Sequence, residues 1–252
     1  SNSAGGTITT SRDTTTTTGF GQSIKLNVTG ADTSVASTHI VDLHQTIEAQ
    51  VIRNSGWNYT SSSSYLTLSF HIRSSKTGTY CVFFQTNDGT AQMYTAEYTI
   101  SSADTFEQKI ISVPGNSNLQ FDNDTGIGLR VGFILAVGSG RSGSAGAWTS
   151  GNASGTSNQV NFLDSTDNIA YITGVQLEVG QFTSSTLPAF QHENFGDNLS
   201  RCQRYYYRMI NENVAMATFS YYSSGRVEAG ISFPVTMRTA PSLVSTYGSS
   251  YF

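Results

Sequence analysis

The sequence predicts an all-β protein, a jelly-roll β-sandwich followed by a short connector and a small β-domain. Three observations support this prediction. Charged residues make up only 12% of the 252 residues, while 36 serines and 32 threonines supply most of the polar side chains, and threonine favours strands. Helical periodicity is nearly absent. Apolar and polar side chains alternate over strand-length runs, and turn-forming residues separate these runs.

Nine strand-like runs follow one another in the first 190 residues. They are 23–29, 39–51, 65–73, 79–86, 91–100, 107–113, 128–137, 159–164 and 170–179. Long strands connected by loops of unequal length favour a jelly-roll sandwich over an up-and-down barrel. We expect residues 1–22, rich in threonine and glycine, to run along the surface or to form an edge strand. Residues 138–158 predict a low-complexity loop.

The sequence changes character after about residue 190. Residues 191–208 predict a helical or irregular connector, in which Asp197 or Asn198 could cap a short turn. Residues 209–252 predict a small β region with a hairpin turn at 223–225. This region is too short for an independent β-domain. We expect it to be incomplete or to pack against copies of itself, and the chain to be a fragment of a longer protein.

Charge and cysteine content exclude several classes of protein. The net charge is −4 and basic residues form no long run, which argues against a nucleic-acid or anionic-membrane partner. No apolar run reaches the roughly 18 residues that a membrane helix needs. The two cysteines, Cys81 and Cys202, form no CxxC unit, and we expect Cys81 to be a buried free thiol.

An enzymatic role is not expected. A glycosidase needs two carboxylates on opposite sides of the scissile bond, whereas the carboxylates here show no spacing that brings a pair together. His71 and Arg73 share one face of a strand, but an alternating polar face produces such pairs routinely. The segment DNDTG at 122–126 resembles a calcium loop, yet no glutamate follows at the required distance, so a plain turn is favoured.

Aromatic residues in small polar loops suggest a sugar site. Trp57 and Tyr59 lie in SGWNYTSSSS, and Trp148 lies in GAWTSG. Aromatic rings stack on pyranose rings, while hydroxyl and amide groups pair with the sugar hydroxyls. We therefore predict a glycan-contact surface of Trp148 with Trp57 or Tyr59. The alternative is that each ring folds back and covers one end of the sandwich.

A cluster of arginines and tyrosines follows in the connector. Both residue types are enriched at the centres of protein interfaces, and the acidic balance of the chain disfavours nucleic-acid stacking. We predict an interface between domains or subunits. Its residues are Arg201, Arg204, Tyr205, Tyr206, Tyr207 and Arg208.

Several separated motifs resemble those of virion proteins of tailed phages, particularly phages of marine bacteria. The motifs are GVQLEVG at 174–180, LPAFQHENFGDNL at 187–199 and CQRYY at 202–206, with further likeness at 65–89, 155–180 and 233–243. The resemblance implies a tail fibre or related appendage on the exterior of the virion. It also implies a jelly roll similar to carbohydrate-binding modules, carried in a homotrimeric fibre with other virion proteins as partners.

The same resemblance bears on metal binding. In sugar-binding jelly rolls the last strand commonly carries paired acids, one of which helps to hold a structural calcium. Thr173 and Gly174 stand at these positions, so we expect no metal and no cofactor.

Attachment to a bacterial surface glycan is the function we expect. The alternatives are a structural fibre or capsid-decorating protein without a receptor role, and a sugar-binding module of a larger polysaccharide-degrading enzyme.

Overall fold

The computed structural model describes residues 5–208, 220–224, 226–228, 230 and 232–242. The chain divides into two compact units, Ser1–Phe190 and Gln191–Phe252. Much of the predicted C-terminal β region, residues 209–219 and 243–252, lies outside the described residues.

Most regular elements of the first unit are strands. They are β1 (Thr7–Asp13), β2 (Ser23–Gly30), β3 (Ile40–Glu48), β4 (Tyr65–Ser74), β5 (Gly78–Thr86), β6 (Met93–Ile100), β7 (Glu107–Pro114), β8 (Ile127–Val137), β9 (Trp148–Thr149) and β10 (Ile169–Val179). A short helix, α1 (Ala49–Arg53), follows β3, and 3₁₀ turns lie at Ser139–Arg141 and Phe162–Asp164.

The strands form two antiparallel five-stranded sheets. The first sheet has the order β1-β2-β10-β4-β7 and the second the order β3-β8-β5-β6-β9. Without the outermost β1 and β9, two four-stranded sheets remain, β2-β10-β4-β7 and β3-β8-β5-β6, and every connection except β5–β6 crosses from one sheet to the other, as in a jelly roll. The predicted all-β jelly roll is therefore confirmed, and part of the segment 1–22 forms an edge strand, one of its two predicted states.

The core lies between the sheets because alternate side chains of each strand point inward. Phe70 on β4 is fully buried and meets rings of the opposite sheet edge-on. Its ring centroid lies 4.8 Å from that of Phe133 on β8 and 5.2 Å from that of Tyr98 on β6. Such cross-sheet aromatic pairs stabilise the sandwich beyond the burial of their area.

Two of the predicted strands differ from the structure. The predicted strand 39–51 ends at Glu48, because the next two residues pair with the turn before β8. Ala49 N–H donates to Gly126 O and Gln50 N–H donates to Asp124 O, both at 3.0 Å. The chain then curls into α1. The prediction of a strand at 159–164 is wrong.

The segment 159–164 contains a 3₁₀ turn instead of a strand. The Asn161 side chain accepts a hydrogen bond from Leu163 N–H at 2.9 Å, and Asn168 Nδ2 donates to Phe162 O at 2.9 Å. Phe162 and Leu163 are both fully buried, which neighbouring residues of a two-faced strand are not. Local side-chain to backbone bonds of this kind favour turns over ladders.

The second unit contains a helix and a hairpin. Helix α2 (Phe195–Gln203) is capped by Asn194, whose Oδ1 accepts from Asp197 N–H at 3.0 Å. The predicted caps Asp197 and Asn198 are therefore wrong: both lie within the helix. β11 (Ser220–Ser223) and β12 (Arg226–Glu228) pair antiparallel, so the predicted hairpin is confirmed.

An ion pair joins the loop after β4 to the 3₁₀ turn at Phe162–Asp164. The Lys76 ammonium donates to the Asp164 carboxylate and to Asn161 O, the latter at 2.9 Å. The hydrogen bond from Lys76 lowers the pKa of Asp164 below its ordinary value of 3.8. A carboxyl group with a lowered pKa stabilises the fold above its ordinary pKa, and this contribution is lost as the pH falls through the folded-state pKa.

We expect Lys76→Met to lower the free energy of unfolding by less than about 1 kcal/mol at pH 6, because both side chains are partly exposed and solvent screens the pair. Near pH 3 the loss should be smaller, since the carboxyl group begins to protonate. Urea unfolding of both proteins at the two pH values measures the difference. An equal loss at both values would mean that the pair contributes nothing electrostatic.

Candidate functional site

Trp57 lies in the core. Its side chain is 3% exposed, its indole N–H donates to Ser64 O at 3.3 Å, and its ring centroid lies 6.1 Å from that of Phe121. A ring with this exposure offers no face to a sugar, so we remove Trp57 from the predicted glycan surface. The loop after α1 folds back, and the ring covers part of the sandwich.

Tyr59 and Trp148 are half-buried and lie beside the same turn at the end of β7, where Tyr59 O accepts a hydrogen bond from Asn116 N–H at 2.8 Å. The Tyr59 ring meets Phe121 edge-on at 4.9 Å. The Trp148 ring lies 5.4 Å from Tyr94, and its indole N–H donates to Pro114 O at 2.7 Å. Both rings pack against the hydrophobic core. Glycan contact through the exposed parts of both rings stays a prediction. The Trp148 indole N–H is already paired with Pro114 O, and part of each ring packs against the core.

The second sheet has an outer face made of three rows of side chains. Each row crosses the strands in the order β3, β8, β5, β6. The rows are Asp42–Ile134–Cys81–Glu97, His44–Gly132–Phe83–Thr95 and Thr46–Arg130–Gln85–Met93.

The loop 138–158 covers the first row and one end of the second. Thr156 Oγ1 donates to Glu97 at 2.5 Å, and Thr95 Oγ1 donates to Ala153 O at 2.9 Å. Cys81 is fully buried beneath this cover as a free thiol, as predicted, and burial raises its pKa. The low-complexity loop therefore covers about half of the outer face of the second sheet.

The rest of this face carries a polar strip, which we define as His44, Thr46, Arg130 and Gln85. All four side chains are partly exposed. His44 Nδ1 lies 2.5 Å from Oδ2 of the buried Asp42, and Arg130 Nη1 donates to Gln85 Oε1 at 3.3 Å. Arg130 Nε is buried and has no hydrogen-bond partner among the residues that the structure describes.

Gly132 explains why the polar strip lies beside an aromatic ring. A Cβ atom on Gly132 would lie 2.3 Å from Phe83 Cε1 and 2.8 Å from His44 Cβ. The Phe83 ring therefore occupies the space above Gly132, with its centroid 6.4 Å from that of His44. A glycine inside a strand pattern often marks such a close approach. This was the one signal in the sequence that could have pointed to the strip.

Part of the outer face of the first sheet is covered by the chain itself. His71 and Arg73 do share this face, but the Phe20 ring lies 5.4 Å from the His71 ring and Phe190 packs edge-on against Phe20 at 4.9 Å. Burial lowers the pKa of His71. Arg73 Nε donates to Asp104 O at 2.7 Å. His71 therefore packs against Phe20, and Arg73 is paired with Asp104.

Thr173 and Gly174 have packing roles. Thr173 Oγ1 donates to Gln22 O at 2.8 Å. Gly174 has a φ of +59° at a break in the β4–β10 register, and a Cβ atom there would lie 2.5 Å from the Phe20 ring. Glycine is therefore required at this position both by the backbone conformation and by the ring that covers it.

In the acidic turn before β8, backbone N–H groups are paired with carboxylates of the turn and of the loop after β5. Asp124 Oδ1 accepts from Gly126 N–H, and Asp122 N–H donates to Asp88 Oδ2, both at 2.9 Å. Across the described part of the chain, no cluster of three or more His, Cys, Asp or Glu side chains could hold a metal ion. No described helix is long and apolar enough to cross a membrane.

The predicted interface residues lie on α2 and just after it. Tyr205 is 56% and Tyr206 70% exposed, which leaves both rings accessible to a partner. Arg201 pairs with Glu193 at 2.8 Å, and the Tyr207 ring lies 6.2 Å from that of Phe233 within the same unit. An interface role for this cluster stays a prediction.

The strand order defines the first unit as a jelly-roll β-sandwich. No protein-family model and no curated protein matches the chain. Among solved structures, it is similar to the enzymatically active domain of tailspike protein 4 of bacteriophage CBA120, with 17% identity and a TM-score of 0.37 over 71% of this chain and 19% of that chain.

Carbohydrate-binding modules are similar to the same extent. The family 11 module from Clostridium thermocellum, solved with a β-1,3-1,4-mixed-linked tetrasaccharide, shows 11% identity and a TM-score of 0.38 over 71% of this chain and 86% of that chain. A CBM4 structure shows 12% identity and a TM-score of 0.37 over 70% and 79%. Likeness this distant carries no argument about function.

Proposed function

We propose that this protein is a non-enzymatic component of a tailed-phage virion, a tail fibre or related exterior appendage, and that its jelly roll attaches the particle to a glycan of the bacterial surface. The motifs at 174–180 and 202–206 support the phage origin through their resemblance to virion proteins. The polar strip supports glycan binding, and it is the observation on which the proposed site rests.

The strip has the chemistry that a sugar requires. The Arg130 side chain is partly exposed, and its guanidinium carries planar N–H donors that suit hydroxyl oxygens. The Gln85 amide and the His44 ring can each donate or accept.

The strip is small, so each contact is expected to be weak. It spans three neighbouring strands, roughly 10 Å at the usual strand spacing. Several copies of the protein in one fibre would convert weak single contacts into useful avidity. A homotrimeric fibre is consistent with this requirement and is part of the proposal.

Glycan binding is tested with the purified chain on an array of bacterial capsular and lipopolysaccharide glycans, followed by calorimetry on the best one. We expect Arg130→Ala to weaken binding at least about tenfold, or about 1.4 kcal/mol. Arg12→Ala removes the same charge from the exposed edge strand β1 and should leave binding unchanged. Equal effects of the two substitutions would overturn the strip as the site.

The phage role is tested separately by adding the purified chain to host cells before infection. Blocked adsorption that Arg130→Ala abolishes would support attachment. Glycan binding without any block would instead favour a sugar-binding module of a longer polysaccharide-degrading enzyme, since such a module could use the same strip. Absence of glycan binding altogether would favour a purely structural fibre or capsid-decorating protein.

A further inference from the structure

An apolar seam runs along α2 and its last turn. We define it as Phe195, Leu199, Cys202 and Tyr206, whose spacings of four, three and four residues place them on one side of a helix. Phe195 is 79%, Leu199 40% and Tyr206 70% exposed, and Cys202 is exposed. The helical hydrogen bonding continues to the end of the seam, since Tyr206 N–H donates to Cys202 O at 3.0 Å.

Contacts within the chain contribute little to the stability of α2. All nine residues of α2 are described, and none is buried. Helices of this length are marginal in water, and most helical stability in proteins comes from packing of an apolar face. The Asn194 cap and the Glu193–Arg201 ion pair contribute little by comparison. A partner that covers the seam would supply the missing stabilisation.

The charges of α2 lie away from the seam. At 3.6 residues per turn, Asp197, Arg201 and Arg204 fall on the opposite side of the helix. The residues beside the seam, Asn198 and Gln203, are uncharged amides. The surface that a partner would cover is therefore apolar at its centre and neutral at its borders.

This charge pattern fits a second copy of the same chain. Around a rotation axis parallel to the helix, every seam residue meets its own counterpart. A charged residue would then face its like, whereas apolar side chains pack and amides can pair with one another. We propose that α2 is the contact through which identical copies assemble in parallel, with Phe195, Leu199, Cys202 and Tyr206 facing the axis.

The two cysteines of the chain make this arrangement directly testable. Cys81 is fully buried, whereas Cys202 is exposed on the seam. Parallel assembly brings the Cys202 thiols of different copies together. Treatment of the full chain with a short bis-maleimide should therefore yield covalently linked dimers on a denaturing gel, and Cys202→Ser should abolish them. Absence of linked chains in the unsubstituted protein would overturn the proposal.

A matched pair of variants separates the seam from the rest of the helix. In the Cys202→Ser background, Leu199→Cys places a thiol on the seam and Ser200→Cys places one on the opposite side. We expect the first to be linked at least tenfold faster than the second. Equal cross-linking rates of the two variants would indicate random collision or another arrangement, and they would overturn the proposed contact through the seam.

The assembly is measured independently by light scattering. We expect a mass that is a multiple of the 27.1 kDa chain, reduced to a single chain by Leu199→Glu and unchanged by Ser200→Glu. A monomer at all concentrations, or an assembly that Leu199→Glu leaves intact, would overturn the proposal. This inference rests on the homotrimeric part of the proposed function. No glycan takes part in these experiments, so a failure of assembly is distinguishable from a failure of glycan binding.

Discussion

Trp57→Ala is expected to lower the free energy of unfolding by about 3–5 kcal/mol, the usual loss for a fully buried large aromatic ring. The substitution removes the packing against Phe121 and leaves Ser64 O without its indole donor. A cavity remains because the neighbouring rings belong to a packed core and relax only partly. Urea unfolding, with extrapolation of the free energy to water, measures this loss.

The control for this prediction is Val51→Ala, since Val51 lies in the adjoining α1 and is 54% exposed. A surface change of this kind is expected within about 0.5 kcal/mol of the unsubstituted protein. Full stability of Trp57→Ala together with a loss of glycan binding would make the ring a sugar contact and contradict its role in the core. If the variant does not fold, Trp57→Phe offers a milder truncation.

Gly132→Ala is expected to destabilise the protein by about 1–3 kcal/mol, the range for overpacking a filled site, and to abolish glycan binding. The added Cβ would lie 2.3 Å from Phe83 Cε1 and 2.8 Å from His44 Cβ. Phe83 belongs to a buried cluster with Cys81, Met93 and Ile134, so its ring cannot swing away freely. Its displacement would push His44 out of the polar strip.

Gly21→Ala is the matched control, because nothing lies within 4 Å of a Cβ atom at Gly21. The same chemical change there should be neutral, or stabilising by up to about 1 kcal/mol through the lower entropy of the unfolded chain, with unchanged binding. Unfolding curves and the glycan titration are recorded for both variants. Equal unfolding free energies and equal glycan binding of Gly132→Ala and Gly21→Ala would contradict the prediction, because they would show that the Phe83 ring moves away from Gly132 freely.

The strands were predictable because their signal is local. β4 alternates apolar and polar residues with a period of two, and this period depends only on the geometry of an extended chain. β10 keeps the period only on either side of the break at Gly174. The hairpin of β11 and β12 was predictable for the same reason, from its turn residues. The run 159–164 failed because Asn161 and Asn168 bond to nearby backbone groups, and alternation alone does not reveal such bonds.

The candidate site was less predictable than the fold. The loops around Trp57 and Trp148 are rich in small polar residues, which predicted exposed rings. Their partners, Phe121 for Trp57 and Pro114 O for Trp148, are 64 and 34 residues away in the chain. A loop can fold back onto the sandwich end whatever its own composition, so burial of these rings depended on distant residues.

By itself, the sequence determined that this chain forms two-faced strands and that Cys81 is a buried thiol. Only the tertiary structure decided which side chains share a surface. The polar strip takes His44 and Thr46 from β3, Arg130 from β8 and Gln85 from β5. Alternation assigns each of them to one side of its own strand. Which strands become neighbours follows from the packing of the whole sandwich, because strand pairing joins segments that are far apart in the chain.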